Sequence, residues 1–281
     1  MSAVLPAPSL RVEVEPLCQS TFSPFGTVIE NPSCSGSGFQ QQISSFNLQA
    51  VRANQGTAMK YSHVSHMYDF YDYAPSQRKG APVMNMFVCA PRCLRAANLD
   101  RSGPGVSQET TEGLFDVEIL ERHPFTTQTF IPLGLSATDP TTRYLVIVAP
   151  TLPSSCPCGE AQRSVATPSR VPGLWDLPSP AFPLREKCQV EPQRGMPDLH
   201  KIRAFLAHGS QAVTYGAGTW HAPMAVVGKK KVTFVVTQFA NSINTEDCEE
   251  IEIRSERFID CKGVVVSVPK LDYLKPRLLK I

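Results

Sequence analysis

Short runs in which apolar residues alternate with polar ones, separated by glycine and proline, make up most of this chain. Such runs predict half-buried β-strands, because the side chains of a strand point alternately to its two faces. The predicted strands, rich in Val, Phe, Ile and Thr, are Val83–Cys89, Asp116–Leu120, Thr127–Pro132, Tyr144–Val148, Lys201–Ala207, Ala212–Tyr215, Met224–Val227, Val232–Phe239 and Val264–Val268. Helical periodicity is weak, with one turn expected near Leu17–Thr21. Short strands spaced by turns favour an all-β sandwich or barrel.

Clusters of proline, glycine and serine predict the long loops of this fold. They fall at residues 31–38, 101–113 and 150–198, and the last is the longest and richest in proline. Residues 150–198 contain too few apolar positions to form a core of their own. We therefore expect one domain over residues 1–281, with 150–198 as an insertion loop between two barrel strands.

Composition narrows the classes of function. A net charge of +2 argues against a dedicated nucleic-acid surface. No apolar run approaches the roughly 18 residues of a membrane helix, and the N-terminus shows no secretory signal. The nine cysteines are then expected to be reduced thiols in a cytoplasmic protein, including the close pair Cys156 and Cys158 in the insertion loop.

Two glycine-closed segments, residues 121–134 and 209–221, carry the polar groups that suggest chemistry. Both have the pattern of strand, turn and strand. The two-residue period places Glu121 and His123 on one face, with Gln128 one turn further on. If His221 enters from the second segment, four polar groups meet inside one barrel. They suit either a divalent metal or metal-free proton transfer; the alternative is that Glu121 pairs with a surface arginine.

The two segments resemble the paired motifs of the cupin superfamily. The first cupin motif carries His-x-His, then Glu and Gly; here Glu121 stands for the first His and Gln128 for the Glu. The second motif ends in Gly-x-x-His, which is kept as Gly218-Thr-Trp-His221. Glu121-Arg-His-Pro, Gly218-Thr-Trp-His-Ala-Pro-Met and the stretches at 22–29, 53–61, 202–205, 235–239 and 244–250 more narrowly resemble the ureidoglycolate lyase family, its fungal members above all.

This resemblance implies a double-stranded β-helix (cupin-like) barrel with long loop insertions, and a carbon–nitrogen lyase. Such an enzyme cleaves (S)-ureidoglycolate to glyoxylate and urea in allantoin and purine catabolism. The alternatives are a ureidoglycolate amidohydrolase, or a non-catalytic cupin that binds a small carboxylic acid. A homodimer is expected, and a divalent ion, either nickel, manganese or zinc, is a possible cofactor.

The reaction needs a base, an acid, an anion clamp and amide partners for urea. The expected catalytic residues are His123, His221, Glu121 and Lys60. The expected substrate-binding residues are Asn54, Gln55, Arg92, Gln128, Arg203, Tyr215 and Trp220. The expected metal ligands are Glu121, His123, Gln128 and His221.

Overall fold

The structure is a computed structural model that describes residues 3–32, 49–96, 112–152, 195–254 and 263–271. Its strands are β1 (Ala3–Pro6), β2 (Leu10–Pro16), β3 (Gly26–Ile29), β4 (Gln49–Ala53), β5 (Ala58–Ser62), β6 (Ala81–Cys89), β7 (Arg95–Ala96), β8 (Glu112–Asp116), β9 (Ile119–Arg122), β10 (Gln128–Leu133), β11 (Thr142–Ala149), β12 (Arg203–Ala207), β13 (Ala212–Tyr215), β14 (Trp220–His221), β15 (Ala225–Gly228), β16 (Val232–Ala240), β17 (Glu249–Arg254) and β18 (Val264–Pro269). The α-helices are single turns, α1 (Gln19–Phe22) and α2 (Asn244–Asp247).

Two sheets form a cupin-like barrel. The larger sheet has eleven strands in the order β1-β17-β9-β14-β11-β12-β2-β18-β8-β7, with β15 also paired to β11. The second has five strands in the order β3-β13-β10-β16-β6, and β4 pairs only with β5 as a separate hairpin. The strand-rich pattern of the sequence therefore predicted the fold class correctly.

Strand β11 is buried along its whole length because each of its faces covers a different core. Tyr144, Val146 and Val148 pack inside the barrel with Phe130, while Leu145, Ile147 and Ala149 pack with Trp220 in the core on the other side of the large sheet. Strand β11 thus fixes which side of a neighbouring strand faces the barrel interior.

One predicted strand, Asp116–Leu120, is wrong. Strand β8 ends at Asp116 and β9 begins at Ile119, because the chain changes partners between them. Val117 donates its main-chain hydrogen bond to Val264, whereas Glu118 accepts one from Ile253 on β17. The apolar alternation continues across this break, so the sequence pattern did not reveal it.

The loop predictions fall mostly outside the described residues. This applies to 33–38, 101–111 and 153–194, so the single domain with an insertion at 150–198 stays a prediction. The two ends of that stretch do meet, since Leu152 donates to Met196 at 2.8 Å and Asp198 donates to Pro150 at 2.8 Å. They connect β11 to β12, which are antiparallel neighbours. Among the described residues there is no helix with the length and apolarity that crossing a bilayer requires.

Candidate active site

Strands β9 and β14 bring the two sequence segments together. Glu121 and His221 are directly opposite in the antiparallel register, so their side chains share one face. His221 Nε2 lies 3.4 Å from Glu121 Oε1. Gly218, whose φ of +76° suits a residue without Cβ, donates a main-chain hydrogen bond to His123 at 2.9 Å. This bond ties the turn before His221 to the end of β9.

Both imidazoles are oriented by main-chain carbonyls. His123 Nδ1 lies 2.6 Å from the carbonyl oxygen of Asp247, and His221 Nδ1 lies 2.9 Å from that of Thr219. A carbonyl can only accept, so each Nδ1 carries the proton and donates it. Each ring therefore turns its Nε2 to the interior, and the two ring centroids are 5.6 Å apart.

Buried polar atoms without partners mark the centre of the site. Among the described residues, His123 Nε2, His221 Nε2, Gln128 Oε1 and Tyr215 Oη are buried and make no hydrogen bond. An unsatisfied buried polar atom costs about 1–3 kcal/mol, so several in one place indicate that something else binds there. The ring of Tyr215 stacks on His221 with centroids 4.0 Å apart, which links the hydroxyl to the same cluster.

Burial and mutual charge set the protonation of the cluster. Burial, reinforced by the charge of His221, lowers the pKa of His123 to about 4, so this imidazole is neutral near pH 7. Burial works to raise the pKa of Glu121, but its contact with His221 and the charges of both imidazoles outweigh burial and leave it below its usual value. Burial also raises the pKa of the Tyr215 hydroxyl well above its usual range, so the group stays an O–H donor.

The same atoms fit a divalent metal ion. The ligand atoms of Glu121, His123 and His221 all lie within 4.8 Å of one another. Two imidazoles and a carboxylate are a common ligand set for zinc and related ions. Gln128 Nε2 donates to Gln238 Oε1 at 2.7 Å, which leaves Gln128 Oε1 as the atom available to the cavity.

Several other predicted residues lie away from this cluster in their own chain. Asn54, Gln55 and Lys60 are exposed on the β4–β5 hairpin. Arg92 is exposed and lies over the ring of Phe115 at 5.5 Å. The structure does not bring these residues to the two histidines, and their expected roles stay predictions.

Arg203 and Trp220 are held by other contacts. Arg203 pairs with Glu15 at 2.6 Å. Trp220 points to the opposite face of β14 from His221, packs into the core outside the barrel, and stacks under Arg122 at 4.5 Å. Arg122 also pairs with Glu249, so the arginine next to Glu121 in the sequence is not its partner.

Two supporting contacts were missed from the sequence. Gln238 lies on β16, and only the pairing of β16 with β10 shows that it holds Gln128. Tyr71 Oη donates to Asp247 Oδ1 at 2.6 Å, and the carbonyl of Asp247 in turn holds His123. No local signal marks these residues, because each acts across more than a hundred positions of sequence.

The comparisons with known proteins agree with this geometry. The family model described as ureidoglycolate lyase matches residues 9–260. The ureidoglycolate lyase of Schizosaccharomyces pombe is 29% identical over 239 residues, which cover 85% of this chain and 90% of that protein. Those of Saccharomyces cerevisiae and Burkholderia mallei are 28% and 26% identical, covering 79% and 84% of this chain and 82% and 87% of theirs. The chain belongs to the ureidoglycolate lyase family.

Proposed function

We propose that this chain cleaves (S)-ureidoglycolate to glyoxylate and urea, as a step of allantoin and purine catabolism. The observation that carries the proposal is the cluster of unpartnered buried atoms on His123, His221, Gln128 and Tyr215 beside the carboxylate of Glu121, inside the barrel of a chain that belongs to this family. In the substrate one carbon bears a hydroxyl, a carboxylate and the ureido nitrogen. Cleavage removes the hydroxyl proton as the C–N bond breaks and C=O forms.

The cofactor we propose is one divalent ion, either nickel, manganese or zinc. Glu121, His123 and His221 would hold it, with Gln128 Oε1 as a further ligand. When bound, it would polarise the hydroxyl and carboxylate oxygens of the substrate and lower the pKa of the hydroxyl. Gln238 keeps the oxygen of Gln128 turned towards the cavity, and the carbonyls of Asp247 and Thr219 keep both Nε2 atoms turned the same way.

Tyr215 is proposed to bind the ureido group. Its hydroxyl is buried and unpartnered, and its raised pKa keeps it protonated, so it can donate to the ureido oxygen or to the departing nitrogen. Phe130, whose ring contacts that of Tyr215 at 6.1 Å, helps to exclude water from this side of the cavity.

Metal-free proton transfer is the competing route through the same residues. In it His123 Nε2 accepts the hydroxyl proton, while His221, paired with Glu121, donates one to the departing nitrogen. Treating the pure protein with a chelator separates the two routes. Loss of turnover, with recovery on adding one of the three ions, supports the metal; unchanged turnover of protein shown by elemental analysis to be metal-free supports the histidines alone.

Product analysis tests the function itself. The protein is incubated with (S)-ureidoglycolate, and glyoxylate, urea and ammonia are measured together. Equal amounts of glyoxylate and urea are expected. Ammonia in place of urea would instead show the amidohydrolase reaction, and binding of glyoxylate without any turnover would show a non-catalytic cupin.

Three further expectations belong to this proposal. We propose that the enzyme acts in the cytoplasm, where its thiols stay reduced, and that residues 1–281 form one domain. We also propose a homodimer, since closed two-fold pairs are the commonest assemblies of soluble proteins. Light scattering at micromolar concentration should give the mass of two chains.

A further inference from the structure

The chain segment that follows the β4–β5 hairpin lies on the outside of the barrel. Along β10, Gln128 and Phe130 face inwards, so Thr127 and Thr129 face outwards. Tyr68 donates its main-chain N–H to Thr127 Oγ1 at 3.0 Å. The segment that follows the hairpin therefore runs across the outer face of the five-stranded sheet.

Followed back along the chain from Tyr68 to the hairpin, the same segment lies progressively further from the site. Ser65 Oγ donates to Thr214 Oγ1 at 2.8 Å in the middle of the sheet. Met59 lines one cavity with Ile131 and Ala212, which lie at the end of the sheet remote from Gln128. At about 3.4 Å per residue, the tip at 54–56 is on the order of 20 Å from Gln128 and on the other face of the sheet.

One face of the hairpin is turned towards its own sheet without being buried by it, and the other face is free. Met59 faces the sheet, and Arg52, its direct partner on β4, shares that face. Lys60 and its partner Val51 point the other way and are exposed. A hairpin of two strands is marginal by itself, so a free face with an exposed valine and a lysine indicates a missing neighbour.

Exposed apolar side chains are concentrated on the hairpin, the segment that follows it and the strands of the five-stranded sheet. Among the described residues, eleven of the fourteen exposed large hydrophobic residues belong to the hairpin, the segment 63–73, β6 and the outer end of β10. We call ten of these, all except the inward-facing Phe87, the outer apolar surface: Val51, Met59, Met67, Tyr68, Tyr73, Met84, Met86, Val88, Ile131 and Leu133. Ile131 and Leu133 on β10 lie in line with Met86 and Val88 on β6 across β16, so they share one face of the sheet. Exposed apolar surface of this kind marks an interaction site.

Strand β6 borders this surface and leaves the barrel open. It is a nine-residue edge strand without a charged residue, and among the described strands it pairs only with β16. Asn85 and Phe87 share the inner face with their partners Val236 and Phe234, yet both are exposed. Long uncharged edges are normally covered in the native assembly.

The side chains of the site, Glu121, His123, Gln128, Tyr215 and His221, include no lysine or arginine. Arg122, which follows Glu121, is turned to the opposite face over Trp220 and pairs with Glu249. The substrate proposed above carries a carboxylate. By contrast, the hairpin segment 49–62 contains Arg52 and Lys60 and no acidic residue.

We propose that the active site is completed in trans by a second copy of this chain. The second copy packs against the outer apolar surface, and its β4–β5 hairpin reaches the open side of the barrel along β6. There Lys60 of the hairpin holds the substrate's carboxylate, and Asn54 and Gln55 at the tip supply amide groups for the ureido end. Within one chain the sheet separates these residues from the histidines, whereas a two-fold pair brings each hairpin to the other barrel. This inference rests on the proposed function.

Complementation between two inactive chains tests the proposal. Lys60→Ala and His221→Ala chains, each with a different affinity tag, are co-expressed, and the doubly tagged heterodimer is purified. Each homodimer should be at least roughly 10-fold less active than wild type. The heterodimer should regain about half of wild-type turnover, because one barrel keeps His221 and receives an intact Lys60 from the other chain.

Two control proteins fix the interpretation. Lys229→Ala removes an exposed lysine elsewhere and should leave turnover unchanged. A heterodimer of wild type with a Lys60→Ala/His221→Ala chain should show little turnover, because each barrel then lacks one of the two groups. An inactive Lys60→Ala·His221→Ala heterodimer, full activity of Lys60→Ala, or a single-chain particle in solution would overturn the proposal.

A cross-linking experiment reads the same geometry without activity. A photo-reactive benzoylphenylalanine replaces Lys60 in a mixture of isotopically light and heavy chains. Cross-links between light and heavy chains, at peptides of β6 or β9, are expected; links confined to one chain, or none to these strands, would contradict the proposal. If the labelled chains form these links but wild-type protein does not cleave ureidoglycolate, the proposed function is refuted and the shared site is kept.

Discussion

Glu121 and His221 stand directly opposite each other on β9 and β14, with 3.4 Å between Oε1 and Nε2. A single register thus joins two segments that lie a hundred positions apart in the chain. A one-residue slip of β14 would turn His221 to the core and Trp220 to the site. The main-chain bond from Gly218 to His123 opposes such a slip.

The first prediction concerns this pair. Glu121→Gln keeps the shape but removes the charge, so it should lower turnover by roughly 10²-fold or more. Steady-state kinetics with ureidoglycolate measures the effect. Glu252→Gln on β17, where the carboxylate pairs with surface Arg254, is the matched control and should keep wild-type turnover.

The second prediction separates two buried tyrosines. Tyr215 Oη has no partner among the described residues, so Tyr215→Phe should leave the free energy of unfolding within about 0.5 kcal/mol while turnover falls. Tyr71 Oη donates to Asp247, so Tyr71→Phe should lower the free energy of unfolding by about 1–2 kcal/mol. Urea denaturation measures both. A large loss of stability in Tyr215→Phe would show that its hydroxyl has a structural partner.

The third prediction tests Gln238 as a positioning residue. Gln238→Leu leaves Gln128 Nε2 without its acceptor, so the amide can rotate, and kcat/KM should fall. Gln128→Leu should lower kcat/KM as well. The double variant should have a kcat/KM no lower than that of Gln128→Leu alone, because Gln238 acts through Gln128. Additive losses in this cycle would mean that Gln238 has a role independent of Gln128.

The fourth prediction is a pH dependence of stability in metal-free protein. The pKa of His123 is about 4 in the folded protein, and its ordinary value of 6.5 applies to the unfolded chain. Between these pH values the unfolded chain therefore binds a proton that the folded chain does not. Stability should therefore fall as pH falls from about 6.5 to 4. The slope of Tm against pH should be smaller in His123→Gln, whereas His200→Gln, at an exposed position, should keep the wild-type slope.

The sequence predicted the barrel because its strands alternate. It predicted that Glu121, His123, Gln128 and His221 would meet because the two-residue period and the glycine turns are local signals; their roles stay predictions. It did not predict the strands at the N-terminus, nor β17, although the burial of Ile251 and Ile253 in β17 does alternate with more exposed neighbours. The break after Asp116 was missed because a change of pairing partner leaves no mark on alternation.

Residues that need long-range register were the hardest to place. Trp220 and His221 are neighbours in sequence, yet they face different cores because β11 has one core on each side. Lys60, Arg92 and Arg203 were predicted as cations that hold the substrate's carboxylate, and charge does not say on which face of a sheet a residue lies. Only the strand pairings answer that question.

The turnover of two histidine variants tests most directly whether the cluster inside the barrel is the active site. His123→Ala and His221→Ala are assayed with (S)-ureidoglycolate beside wild type and the exposed control His200→Ala, with folding checked by circular dichroism. Both site variants should lose roughly 10²-fold or more of turnover, and the control almost nothing. Full activity of both folded variants would show that the cluster inside the barrel is not the active site.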